Sequence, residues 1–160
     1  MLTTVLFPID LHEQAFSLGA LRFAVEQAEK DGAGLHVLTV LPHAGKPTML
    51  DYQHDKDMLR EVERSAHERL DALVENQVPA GVRVTKIVRK GGAPPDEILR
   101  YADKNEADLI VIPSHDKSAL EEFFMGSCAA KVVRRARCSV MVVRKPRKRG
   151  GVGRGACPVL

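Results

Sequence analysis

Five short runs of apolar and β-branched residues recur along the chain, each separated from the next by a longer segment, most of them patterned as helix. Leu2 to Ile9 (LTTVLFPI), Leu35 to Leu41 (LHVLTVL), Val82 to Arg89 (VRVTKIVR), Asp108 to Pro113 (DLIVIP) and Ser139 to Arg144 (SVMVVR) have the length and composition of strands. Strands joined through helices must cross over, and crossovers give a parallel sheet of right-handed βαβ units. The pattern therefore predicts a doubly wound five-stranded parallel α/β sheet. In such sheets ligands bind beyond the carboxyl ends of the strands, where the strand order reverses. That places the search at Asp10, at Leu41 to Pro42, and at Pro113 to Ser127.

The connections carry their own signals. Ala15 to Lys30 reads as a helix with Phe16, Ala20, Phe23, Ala24, Gln27 and Ala28 on one face, ended by Gly32 and Gly34. Pro42 to Thr48 reads as a loop. A long charged helix begins at Gln53, with Met58, Leu59, Val62, Ala66, Leu70, Leu73 and Val74 as its apolar stripe. The alternation in Val82 to Arg89 implies one more polar face and hence an edge strand. Pro94 or Pro95 opens a helix reaching Lys104, because proline fits a first helical turn. Ser127 to Arg135 is the last helix, with Ser127 suited to cap it.

With 160 residues, 44% of them hydrophobic, the chain suits one core burying roughly 70% of its unfolded surface. Tryptophan is absent, so Val, Ile, Leu and Ala must fill that core. No apolar run approaches the roughly 18 residues of a membrane span. Met1 to Thr4 has no basic region ahead of an apolar one, so a cytoplasmic protein is expected. Cys128, Cys138 and Cys157 are odd in number and widely spaced, which argues against disulfides and zinc and for two buried thiols and one tail thiol.

Net charge is +3, yet Lys145, Arg147, Lys148, Arg149 and Arg154 follow the last strand, where no acidic residue occurs. Without them, 19 basic residues face 21 acidic ones. The positive charge thus belongs to a glycine-rich basic tail, residues 145–160, expected to be disordered.

Several chemistries lack their motifs. Gly45-Lys46 has no upstream glycine and is followed by proline, so it is no phosphate loop. Gly151-Val-Gly-Arg-Gly155 neither follows a strand nor precedes a helix. No His-Glu-x-x-His or Gly-x-Ser-x-Gly occurs, and the six histidines, at 12, 36, 43, 54, 67 and 115, are scattered. His36, inside a strand pattern, reads as a core or interface histidine. Gly126-Ser127, at a helix start, presents unpaired N–H groups and a positive dipole end to an anion. Asp10, at the end of the first strand, reads equally as a turn-capping carboxylate and as a ligand contact.

Val5-Leu-Phe-Pro-Ile-Asp10 resembles the opening strand of the universal stress proteins. Asp96-Glu-Ile-Leu-Arg100, Ala107-Asp-Leu-Ile-Val-Ile112, Ser114-His115, Met125-Gly-Ser127 and Cys138-Ser-Val-Met-Val-Val-Arg144 resemble that family's second half in the same order. The resemblance implies an adenine nucleotide alpha hydrolase-like fold of strand order 3-2-1-4-5, with the family domain at residues 1–144. It implies a homodimeric stress-response binding module with no agreed reaction, hence no enzyme, although slow ATP hydrolysis stays open. Adenosine contacts would fall on Pro8, Ile9, Asp10 and Val40. Ile112, Pro113, Ser114, His115, Gly126, Ser127 and Cys128 would complete the nucleotide site.

The family's phosphate loop, Gly-x-x-Gly, nine residues, then Gly-Ser/Thr, lands here on Pro113, Asp116, Gly126 and Ser127. Only the last pair matches. Proline at 113 supplies no backbone donor. A carboxylate at 116 about 4 Å from a phosphate charge would cost on the order of 4 kcal/mol, roughly a thousandfold in affinity, unless a divalent cation such as magnesium bridged them. The expectation is weak or restricted, AMP-like binding; the alternative is an ATP-binding member that tolerates both residues. A different class, nucleic-acid or acidic-surface recognition through the tail, ranks below both, since like-charged tails are commonly only solvating. Dimerisation through Ser139 to Arg144 would cover an apolar edge.

Overall fold

Alternating side chains along the central strands divide the core into two layers. The computed structural model describes residues 1–41, 52–114 and 126–144. It contains strands β1 (Thr4–Pro8), β2 (Gly34–Leu41), β3 (Val84–Lys90), β4 (Leu109–Pro113) and β5 (Ser139–Val143). Helices α1 (Gln14–Asp31), α2 (Tyr52–Gln77), α3 (Pro94–Lys104) and α4 (Ser127–Arg135) connect them. Val5, Phe7, Leu35, Val37, Leu109 and Val111 face α1 and α2. Leu6, Leu38, Ile110 and Ile112 face α3 and α4. Strands apolar on both faces need cover on both, which the crossovers provide.

The five strands are parallel in the order β3-β2-β1-β4-β5, so the fold is the doubly wound sheet the alternation implies. Strand order reverses between β1 and β4. β3 takes one edge, with an exposed Lys86 and Lys90, and β5 takes the other with half-buried Val140, Met141, Val142 and Val143. Element boundaries sit within two residues of the sequence expectation. Gly32 closes α1 in the left-handed region at φ 66°, its N–H donating to the Ala28 and Glu29 carbonyls, a conformation glycine adopts without penalty.

Two helix faces differ from expectation. On α1 the buried stripe is Ala20, Leu21, Ala24, Val25 and Ala28, while Phe23 is exposed. Phe23 lies about 130° around the helix from the middle of that stripe, which its hydrophobicity alone conceals. The Phe16 side chain lies outside the described atoms. Of the stripe expected on α2, Ala66, Leu70 and Leu73 are buried and Val74 is half-buried. Met58, Leu59 and Val62 are exposed.

The cause on α2 is length. A 26-residue helix extends about 39 Å, whereas the seven residues of β3 extend about 23 Å. Lys86 pairs with Asp71 and Lys90 with Glu63, so the helix runs antiparallel to β3, and its first turns project past the sheet's carboxyl edge. The stripe continues in sequence after the sheet beneath it has ended. Loop 42–48, the 115–125 connection and the basic tail lie outside the described residues. Among the described residues no helix is long and apolar enough to cross a membrane.

Candidate functional site

The reversal point between β1 and β4 opens onto a cavity of about 290 Å³. Its floor and walls are apolar: Pro8, Ile9, Leu38, Val40, Pro94, Ile98, Ile112, Pro113 and Ala129. Polar atoms come from Asp10, Glu13, Ser17, Ser127 and Cys128, with Gly126 beside them. Among the described lining residues there are two carboxylates and no lysine, arginine or histidine.

β1 carries Pro8 to the sheet's carboxyl end, where Ile9 N–H still donates to the Leu38 carbonyl at 2.8 Å. The chain then leaves the sheet at Asp10. The Asp10 carboxylate caps a short 3₁₀ turn, Leu11–Glu13, by accepting from the His12 N–H at 2.9 Å. That turn aims α1 back along the sheet and brings Glu13, the residue before α1, and Ser17, in its first turn, to the cavity. On the opposite side stand Pro94 and Ile98 of α3, with prolines in the first turn as the sequence predicts.

The fourth wall is the start of α4. Gly126, with φ −48° and ψ 148°, is the N-cap, and no side chain caps the helix. Ser127 is instead the first helical residue and exposed, which corrects its reading as the cap. With glycine as the cap, the first-turn N–H groups have no side-chain cap among the described residues at the cavity wall. This arrangement favours an anion.

Of the residues singled out by sequence, Pro8, Ile9, Asp10, Val40, Ile112, Pro113, Gly126, Ser127 and Cys128 meet at the cavity. Ser114 does not line it: the residue is buried, and its N–H donates to the Val143 carbonyl at 2.8 Å. His115 and Asp116 lie outside the described residues. Glu13, Ser17, Leu38, Pro94, Ile98 and Ala129 were not anticipated.

Burial pushes the Cys128 thiol up, outweighing the opposing pull of Lys131, so the group stays protonated and is a poor nucleophile. Cys128 and Cys138 are free thiols, half-buried and not fully enclosed as expected. Among the described residues, no three His, Cys, Asp or Glu side chains group as a metal site. His36 is a structural residue: its Nδ1 lies 3.0 Å from the Tyr101 hydroxyl on the α3 face, and burial lowers its pKa.

Comparison with known proteins agrees with this architecture. The model of the universal stress protein family matches residues 1–144. A universal stress protein of Methanocaldococcus jannaschii, MJ0531, is 32% identical over 136 residues, 82% of this chain and 77% of that protein. Universal stress protein UspA from Lactobacillus plantarum superposes with a TM-score of 0.69 at 24% identity, covering 89% of this chain and 97% of that one. A universal stress protein from Archaeoglobus fulgidus, solved in complex with dAMP, gives a TM-score of 0.60 at 23% identity, covering 88% and 96%.

Proposed function

The chain belongs to the universal stress protein family, and from that premise we propose that it is a cytoplasmic, homodimeric stress-response binding module taking an adenine nucleotide with a short phosphate chain. The supporting observation is the cavity at the β1/β4 reversal point, an apolar slot that ends at an uncapped helix start. Purine rings suit the slot between Pro8, Val40 and Ile98. The Asp10 carboxylate is placed to accept from ribose hydroxyls, and the α4 N–H groups to receive one phosphate. That a relative binds dAMP supports the same ligand class.

Size and charge favour a monophosphate. The cavity's 290 Å³ sits at the lower end of small-ligand clefts, which run from about 300 to 1,000 Å³. Pro113 removes a backbone donor where the family's loop has glycine, and the Ser114 N–H is spent on β5. On this reading the module binds without a chemical step, in keeping with a Cys128 thiol that burial holds protonated. Calorimetric titration with AMP, ADP and ATP tests the proposal. Affinity should fall along that series in the absence of metal; tight ATP binding without added magnesium would contradict it.

The homodimer reading is supported by β5, whose half-buried apolar residues sit on a sheet edge. Pairing with a second copy would satisfy that edge. Sedimentation velocity should show a dimer at micromolar concentration, and a monomer there would refute the pairing.

A further inference from the structure

The three cations of β3 divide between the two faces of the sheet. Lys86 and Lys90 pair with Asp71 and Glu63 of α2. Arg89 points to the opposite layer, since it follows by two residues Ile87, which packs with Leu38 and Tyr101. There its guanidinium lies over the Tyr101 ring, with the central carbon 5.5 Å from the centroid. Its Nε–H is buried and has no hydrogen-bond partner among the described residues. A buried donor left unpaired destabilises the fold, and where one persists a ligand can supply the missing acceptor.

The nearest place for such a ligand is the cavity. Arg89 is in register with Val40, so it stands one inter-strand spacing, about 4.8 Å, from a lining residue on the same face. Tyr101 follows Ile98, another lining residue, by less than one turn of α3. The stack of Arg89 on Tyr101 therefore flanks the cavity at its Val40 end, remote from the start of α4. With ribose at Asp10 and phosphate at α4, the base extends over the end of β2 and turns its six-membered ring toward Arg89.

We propose that Arg89 reads the edge of the base and widens the ligands of this site from adenine to 6-oxopurine nucleotides such as GMP and IMP. The inference rests on the nucleotide reading above. A guanidinium only donates, and its Nε–H and one Nη–H form a planar fork that matches the paired acceptors O6 and N7 of guanine or hypoxanthine. Adenine sets an amino donor beside N7 instead. Against adenine Arg89 stays on Tyr101, where the cation–π contact holds it. The exchange is a side-chain rotation and leaves the β3 backbone in place.

The test titrates the full chain and its Arg89→Met variant with AMP, GMP and 7-deaza-GMP, which differs from GMP only in lacking the N7 acceptor. The unaltered protein should bind GMP as tightly as AMP, and about tenfold more tightly than 7-deaza-GMP. In Arg89→Met the GMP-to-AMP affinity ratio should fall about tenfold, and the loss on removing N7 should vanish. Arg89→Lys keeps the charge without the fork and should behave like Arg89→Met. The N7 comparison is made within the unaltered protein, so it stands even if a variant fails to fold. Binding of AMP without GMP, equal affinity for GMP and 7-deaza-GMP, or an N7 effect that survives in Arg89→Met overturns the inference and leaves the nucleotide reading standing. If no nucleotide binds the unaltered protein, that reading fails and this inference with it.

Discussion

The two ends of the sheet are built on opposite principles. At the amino edge, side chains supply partners to backbone groups near the strands' starts. The Asp108 carboxylate accepts from the Thr3 N–H at 2.7 Å, the Thr3 hydroxyl at 2.8 Å and the Thr4 N–H at 3.0 Å. The Leu2 N–H donates to Asp31 at 2.6 Å, and Arg83 reaches the Gly32 carbonyl at 2.9 Å. At the carboxyl edge α4 begins without a side-chain cap, Pro113 brings no donor, and the strands diverge around a cavity. Partners supplied internally stabilise the fold; partners withheld leave room for a ligand. Substitutions at the two ends should therefore separate stability from binding.

The largest effect is expected from Asp108→Ala, which removes the charged acceptor of three hydrogen bonds. Denaturant unfolding should show a loss of about 2 kcal/mol, with AMP affinity unchanged. The same carboxyl predicts a pH dependence, because its hydrogen bonds to Thr3, then Thr4, hold its pKa below the usual aspartate value. A depressed folded pKa means stabilisation that is complete above the unfolded value of about 3.9 and is lost as pH falls through the folded one. In the variant that part of the acid slope should vanish. A variant as stable as the parent would remove the amino-edge half of the contrast.

Asp10→Ala should act in the reverse sense. Loss of one turn cap costs under about 1 kcal/mol of stability, whereas AMP affinity should drop about tenfold by calorimetry. Ser127→Glu sharpens the distinction further. A carboxylate in the first turn of α4 suits the helix dipole and should hold or raise the melting temperature, yet lower AMP affinity roughly fivefold by repulsion. The smallest change is expected from Pro113→Gly. Restoring a donor should raise ATP affinity about threefold, at a stability cost of about 1 kcal/mol from the freer unfolded chain.

The carboxyl-edge half of this contrast was legible in the sequence, for reasons that differ by residue. The strands were readable because both faces of β1, β2 and β4 are apolar, which leaves long uninterrupted hydrophobic runs. Asp10 stood out because a carboxylate ending such a run has no place in a buried strand. Leu38 and Ile98 did not stand out, since a residue lining an apolar slot has the same composition as one packed in the core. Glu13 and Ser17 depend on the 3₁₀ turn at Leu11–Glu13, which sets the direction of α1 and leaves no periodic trace. The exposure of Met58, Leu59 and Val62 depends on where β3 stops relative to α2, a relation between two elements that neither segment encodes alone. The one-residue difference between Gly126 and Ser127 as cap is of the size by which helix ends commonly escape pattern reading.

The division of labour between the edges is tested most directly by following backbone amides during a titration with AMP. The account predicts saturable shifts at Ile9, Asp10, Val40, Ser127, Cys128 and Ala129, with Thr3, Thr4, Asp31 and Asp108 unmoved. Shifts concentrated at the amino edge, or none that saturate at millimolar AMP, would contradict it.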